Sequence, residues 1–365
     1  MQHPLIQTLP PNLLDVIGDV HGEIDALNEL LRHLGYDSAG YHPNDRKLVF
    51  VGDLCDRGPD SPAVIKLVQR MVEVGNAYAI LGNHELNLLR GDAKDGSGWF
   101  FFFFLERDER YQPFARPIEA QRNFIFDFLN TLPLVLERED LRIVHAAWVD
   151  QDIDMLRQVR GVSANELFVQ LEKTLTSTLK ANGSYQKFQE AVTMHADSLE
   201  DENCNMPFLD AIADHDEACQ KGNLVKVMTS GVERRAQAPF FSSHKWRFVE
   251  RVGWWNEYAE AVPVLVGHYW RQLVPIDRAA VGKGDKNLFD EIGSVQWHGK
   301  LKNVFCLDYS VGGRWRERKD QRTPGTQFKL AAMRWPERQL VFDTGETMNT
   351  TGFLSNDLSD EIYAS

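Results

Sequence analysis

Cysteine is scarce and scattered in this sequence. Its four thiols, Cys55, Cys204, Cys219 and Cys306, form no CxxC pair in 365 residues. That spacing argues against a disulfide framework and against a cysteine zinc site, and it leaves reduced thiols in a cytoplasmic protein as the expectation. Long apolar runs are missing as well. The longest cluster, Trp99 to Leu105, contains five consecutive phenylalanines. It falls far short of the roughly 20 residues that a membrane-spanning helix needs, and core packing is its default reading. The first twelve residues hold Pro4, Pro10 and Pro11 and no basic stretch ahead of an apolar run, so no signal peptide is expected. Positive charge is in deficit too: the formal net charge is −13. An acidic surface repels nucleic acid and anionic membrane unless a local patch reverses the sign. Neither a membrane partner nor extended nucleic-acid binding is expected, although a cationic pocket inside an acidic shell stays open.

What is present is 43% hydrophobic residues, enough for one large core or two modest domains. Leu13 to Ile17 reads as a strand interrupted by Asp15. Ile24, Leu27, Leu30, Leu31 and Leu34 form one apolar stripe on a helix that Gly35 would stop. Leu48 to Val51 reads as a strand buried on both faces. Ser61 and Pro62 look like an N-cap and first helical position, with Gly75 as the stop. Ala77 to Leu81 completes a βαβαβ start, which favours parallel pairing. Leu134 to Leu136 and Leu141 to Val144 read as a hairpin. Strand signals vanish from Asp150 to about Ala261, where helical spacing dominates. They return at Val262 to Val266, Asn303 to Leu307, Gln327 to Met333 and Leu340 to Phe342. The expected division is a core of residues 13–149 and 261–343, a mostly helical cap of 150–260, and a loosely attached polar tail of 344–365.

The chemistry gathers where the strands end. Val16-Ile17 runs into Gly18-Asp19-Val20-His21-Gly22. Val49-Phe50-Val51 runs into Gly52-Asp53, then Asp56-Arg57-Gly58. Ile80-Leu81 runs into Gly82-Asn83-His84-Glu85. Ile143-Val144 runs into His145, and Leu265-Val266 into Gly267-His268. In α/β sheets ligands bind at the carboxyl ends of strands, so these five ends can converge on one site. Asp oxygen, His nitrogen and the neutral Asn carbonyl suit hard-to-borderline divalent metals.

These stretches resemble the GDxHG, GDxxDRG and GNHE motifs of the calcineurin-like metallophosphoesterases, and they lie closest to the phosphoprotein-phosphatase, or serine/threonine phosphatase-like, branch. The resemblance is close over residues 13 to 90, rests on single residues at His145 and His268, and hardly touches the cap. It implies an α/β fold, a two-sheet sandwich flanked by helices with a helical cap inserted. It also implies two divalent ions, Mn or Fe by preference, with Zn or Mg able to substitute. Asp19, His21 and His268 would hold one ion, Asn83 and His145 the other, and Asp53 would bridge them. His84 would stand beside the leaving-group oxygen, oriented by Asp56. Arg57 would grip the phosphate, which Asn83 also faces. A hydroxide shared by the two ions would attack phosphorus in line. Where the family shows His-Ala-Gly, this chain has His145-Ala146-Ala147-Trp148, a departure at the substrate floor.

The basic, aromatic stretch Gly231 to Tyr258 offers a second phosphate clamp, for which Arg234 is singled out. Asp308, Arg314 and Arg316 follow a strand and border the site or serve structure. His3, His33, His42, His215 and His298 sit at no metal-ligand spacing. The leading expectation is a phosphatase acting on a phosphate monoester of a protein or small molecule. The alternatives are a diadenosine-polyphosphate hydrolase, a nucleic-acid-end phosphatase and a non-catalytic phosphate-binding module. The last is disfavoured because no proposed ligand is missing.

Overall fold

A computed structural model describes residues 5–101, 106–242, 244–278 and 284–354. The chain begins with a short strand, β1 (Ile6–Thr8), that carries no clear sequence signal. β2 (Leu14–Ile17), α1 (Ile24–Leu34), β3 (Lys47–Phe50), α2 (Ser61–Glu73) and β4 (Ala77–Ala79) follow as the expected βαβαβ unit, with β2–β3 and β3–β4 both parallel. α3 (Asn83–Leu89), α4 (Glu119–Leu129) and the antiparallel pair β5 (Val135–Arg138) and β6 (Leu141–Val144) complete the first half.

The inserted region contains α5 (Asp150–Leu156), α6 (Ala164–Ala181), α7 (Ser184–Met194), α8 (Asp210–Lys221) and α9 (Leu224–Ser230). It also contains two strands that the sequence reading missed, β7 (Glu233–Ser242) and β8 (Lys245–Arg251), paired as an antiparallel ribbon. Their register slips between Arg235 and Phe240, and that irregularity hides the two-residue period. β9 (Val264–Val266), β10 (Val304–Cys306), α10 (Arg314–Lys319), β11 (Ala331–Trp335), β12 (Gln339–Phe342) and β13 (Thr347–Asn349) close the chain.

Two sheets result, one of order β13-β12-β11-β2-β3-β4 and one of order β1-β5-β6-β9-β10. Strand alternation decides which side chains meet between them. Leu14, Val16, Val49 and Val51 of the first sheet pack with Leu136, Ile143, Leu265 and Phe305 of the second. The opposite faces, including Ile17, Leu48 and Phe50, bury against Leu27, Leu30 and Leu31 of α1 and Val64, Ile65 and Val68 of α2. Asp15, which interrupts β2, is fully buried on that outer side. Its carboxylate accepts hydrogen bonds from Tyr36 Oη at 2.7 Å and Arg46 Nε at 2.9 Å, so its charge is not left orphaned.

Two local expectations change. The N-cap of α2 is Asp60, whose carboxylate accepts from Ala63 N at 2.9 Å, whereas Ser61 is already helical. The tail is strapped down rather than loose as far as it is described: β13 pairs with β12, and Thr351 and Val295 bond through their backbones. Of the aromatic run, Trp99 and Phe100 are buried, and 102–105 lie outside the described residues. Among the described residues no helix is long and apolar enough to cross a membrane.

Candidate active site

The five strand ends meet. Asp19, His21, Asp53, Asp56, His84, His145 and His268 are all buried, at the carboxyl ends of β2, β3, β4, β6 and β9. The backbone there is strained. His21, Asp53, Asp56, Arg57 and His268 all take left-handed φ values, from 48° to 73°. Side chains hold them in place. Glu85, buried in α3, accepts from the backbone N–H groups of Asp53 at 2.8 Å, Leu54 at 2.8 Å and Gly82 at 2.9 Å. Ser61 Oγ accepts from Asp56 N at 2.9 Å. A Cβ on Gly82 would collide with Asp53 Oδ1, which is why glycine stands there.

The two oxygens of Asp53 face different histidines. Oδ2 lies 3.8 Å from His21 Nε2 and 3.8 Å from His84 Nε2, while Oδ1 lies 3.4 Å from His145 Nε2. Two clusters with metal-binding donors therefore share Asp53: His21 with His84, and His145 with His268. His268 sorts differently from the expectation. Its ring Nδ1 lies 2.9 Å from Asn83 Oδ1 and its ring meets that of His145 edge-on, while only its backbone N–H reaches Asp19. It belongs beside Asn83 and His145, because the turn after β9 bonds to Asp19 through the main chain and aims the ring across the sheet.

The donor set fits divalent cations. A carbonyl only accepts, so Val51 O at 2.7 Å fixes the proton of His145 on Nδ1, and Cys55 O at 3.0 Å does the same for His21. Each Nε2 lone pair is then turned into the site. That of His145 faces Asn83 Oδ1 at 3.3 Å and Asp53 Oδ1 at 3.4 Å, two acceptors that only a proton or a cation can reconcile with it. His268 Nε2 is buried with no hydrogen-bond partner among the described residues. Burial, followed by the charges of Asp308 and Asp53, pushes the Asp19 carboxyl well above its ordinary range, a repulsion that a cation would relieve. For Asp53, burial opposes ionisation, but His145, His84 and His21 outweigh it and hold the carboxyl well below that range.

His84 and Asp56 form a dyad, Nδ1 to Oδ2 at 2.6 Å. Burial resists a charged imidazole, yet Asp53 and Asp56 more than offset it and raise the pKa of His84. The other oxygen of Asp56 accepts from Trp99 Nε1 at 2.6 Å. Sequence reasoning left Trp99 as core filling, and no pattern flagged its indole. Arg57 lies 3.0 Å from His21 Nε2 and 3.2 Å from His84 Nε2, with its guanidinium over the Trp270 ring at 5.6 Å.

A cleft of about 1150 Å³ opens outward from Arg57, Asn83 and His84. Arg234 does not border it. Its cross-strand partner is Glu250, 3.6 Å away, and its side chain is 63% exposed. The register places that pair on the other side of the ribbon. Arg251 lines the cleft instead. Asp308 anchors the loop after His268 by accepting from Trp270 N at 2.9 Å, whereas Arg314 is taken up by Asp343 and the Phe328 carbonyl. Arg316 packs over Trp315 at 4.9 Å. The Ala147 that replaces the expected glycine is buried with no left-handed backbone, so the turn after β6 needs none.

Residues 14–210 match the family described as calcineurin-like phosphoesterase, which is more than half of the chain, and the protein belongs to that family. It is 52% identical over 80 residues to the bis(5'-nucleosyl)-tetraphosphatase PrpE [asymmetrical] of Oceanobacillus iheyensis, covering 21% of this chain and 32% of that relative. To its counterpart from Halalkalibacterium halodurans it is 53% identical over 79 residues, with the same shares. The chain thus spans about a third of the length of the curated relatives it matches. Among solved structures it is similar to a cold-active protein-tyrosine phosphatase from a Shewanella species, at 15% identity and a TM-score of 0.45, covering 95% of this chain and 82% of that one. It is also similar to a protein serine/threonine phosphatase from Saccharomyces cerevisiae, at 13% identity and a TM-score of 0.45, covering 96% and 86%.

Proposed function

We propose that this protein is a metal-dependent phosphoesterase whose centre takes two divalent ions, Mn or Fe by preference. The observation that carries the reading is the Asp53 carboxylate, with one oxygen facing His21 and His84 and the other facing His145. Asp19, His21 and Asp53 would hold one ion. Asp53, Asn83, His145 and His268 would hold the other. Such ions acidify water and offset phosphate charge. The chain supplies the rest. Arg57 presents a planar two-pronged donor to the phosphate oxygens. His84, oriented by Asp56 and favoured in its charged form by Asp53 and Asp56, would donate its Nε2 proton to the departing oxygen. Trp99 holds the far side of Asp56, so the dyad cannot rotate out of line. The free cysteines support a reducing compartment such as the cytoplasm.

The leading substrate is a phosphate monoester. Anhydride cleavage in a dinucleoside polyphosphate is the second reading. It is favoured by the similarity to a bis(5'-nucleosyl)-tetraphosphatase over 80 residues and by a cleft much larger than one phosphoryl group. The test is turnover by metal-stripped protein after adding back Mn²⁺, Fe²⁺, Zn²⁺ or Mg²⁺. The substrates are p-nitrophenyl phosphate, a phosphopeptide, diadenosine tetraphosphate and a 5′-phosphorylated oligonucleotide. Metal-restored hydrolysis is expected. Folded protein that binds no metal would overturn the reading.

A further inference from the structure

Among the described residues, the ribbon carries a row of cations with no salt-bridge partner. Strand alternation places Lys245, Arg247 and Arg251 of β8 on one face. The other face sends Trp246 and Phe248 into a small cap core with Ile212 and Ala213 of α8. The cationic face therefore turns to the cleft, and all three residues line it. At about 3.3 Å per residue the row covers about 20 Å between the first and last Cα.

Neighbouring cations are neutralised. Arg235 is paired with Asp210 and Asp214, Arg90 with Glu172 at 3.1 Å, and Lys94 with Asp92 at 2.9 Å. Among the described residues, Lys245 and Arg247 have no such carboxylate. The Arg247 guanidinium donates to the Ser242 carbonyl at 3.5 Å. Lys245 is exposed and Arg247 half-buried. Desolvation and then the charge of Arg247 lower the pKa of Lys245, and burial lowers that of Arg247 although Glu233 and Asp216, beyond salt-bridge distance, oppose it. A protein of net charge −13 has carboxylates to spare, so leaving this row unpaired inside a cleft is a cost that a bound anion would remove.

We propose that Lys245 and Arg247 form a second phosphate subsite, and that the substrate is a small oligophosphate carrying a phosphate group beyond the one attacked. This rests on the phosphoesterase reading for the site of attack, whether the group attacked is a monoester on a multiply phosphorylated molecule or an anhydride. Arg251, the last cation of the row, lines the same cleft as Arg57, Asn83 and His84. A substrate with a single phosphate would reach Arg57 but leave the outer cations empty. A bounded cleft in an acidic molecule suits a compact oligoanion better than a polymer.

The test is calorimetric titration of inorganic tripolyphosphate into metal-stripped protein, comparing wild type, K245Q/R247Q and R57A. Loss of both subsite cations should weaken binding by about 10²-fold, roughly tenfold for each charge-assisted contact. It should also flatten the dependence on salt. With metals restored, the ratio of kcat/KM for diadenosine tetraphosphate over p-nitrophenyl phosphate should fall by a similar factor in K245Q/R247Q. Unchanged tripolyphosphate affinity in that variant overturns the subsite. A single-stranded oligonucleotide bound more tightly than tripolyphosphate, and lost in the same variant, overturns the small-oligophosphate class. Tripolyphosphate binding that depends on Lys245 and Arg247, without metal-dependent turnover of any ester, supports the subsite while defeating the phosphoesterase reading.

Discussion

Replacing Trp99 by Phe deletes one hydrogen bond from the carboxylate that orients His84. The indole Nε1 donates to Asp56 Oδ1 at 2.6 Å, and Asp56 Oδ2 meets His84 Nδ1 at 2.6 Å. Trp99 is 1% exposed, so no bulk water waits to replace the donor. A hydrogen bond to a charged acceptor contributes about 1.5–3 kcal/mol, which sets the scale of the loss at roughly 10–150-fold if it falls wholly on the oriented state of the dyad. The smaller ring also leaves a gap and lowers stability by about 1–3 kcal/mol, a separate effect to be measured by thermal unfolding. The decisive comparison is between leaving groups. An alkoxide needs the proton of His84 as it departs, whereas p-nitrophenolate leaves well without one. W99F should therefore lose far more kcat on an alkyl phosphate than on p-nitrophenyl phosphate, in folded, metal-loaded protein. Equal losses on both substrates, or none, would refute a positioning role for Trp99 through Asp56.

Four further outcomes follow from the same geometry. D53N should weaken both metal sites together, because each carboxylate oxygen faces its own histidine set; metal titration showing the loss of one ion alone would contradict the shared ligand. H84A should lower turnover of an alkyl phosphate by about 10²–10⁴-fold, and full activity on that substrate would remove His84 as the proton donor. E85Q should lower both the melting temperature and metal affinity, at about 1–3 kcal/mol for each backbone donor left unpaired around Asp53; an unchanged melting curve would sink the anchoring role. In the cap, burial works against a charged His215, but the hydrogen bonds its ring donates to Asp216 and Cys219 raise its pKa to about 9. A pKa raised on folding gives stability that is present below the unfolded value of about 6.5 and lost as pH rises through about 9. Protection factors in α7 and α8, referred to the intrinsic exchange rate at each pH, should fall over that window in wild type and not in H215Q, and identical profiles would refute the linkage.

The sandwich and the convergence of Asp, Asn and His at its strand ends were legible because their signals are local. A buried strand that runs into Gly-Asp or Gly-Asn-His announces both an element and its functional end. Ribbon and clamp were not legible for the opposite reason. β7 and β8 are paired out of simple register, so no two-residue period survives in the sequence, and without that register nothing tells Arg234 from Arg251. His268 was found but sorted with the wrong partners, since a one-dimensional motif does not say which way a ring crosses the sheet. Trp99 lay inside an aromatic run whose composition speaks only of burial, and its single polar atom acquires meaning only from a carboxylate 43 residues away.

Backbone strain explains why these motifs consist of the residues they do. Non-glycine residues in the left-handed region cost about 1–3 kcal/mol each, and Asp and His tolerate it better than most. Four of the five strained site residues are Asp or His, so the side chains suited to metals are also those that best accept the turns presenting them. The contacts that hold these turns involve no cation. Val20 and His21 both donate to the Asp53 carbonyl at 2.9 Å, Glu85 gathers the following amides, and Asp19 caps the His268 turn. The frame is therefore built by the chain itself, with the lone pairs of His21 and His145 already aimed inward. What a cation adds is relief for carboxylates and imidazoles that the fold has forced together. Catalytic orientation at this centre and recognition on the β8 face are then separable: the first depends on short contacts within the core, the second on unpaired charges carried by the cap.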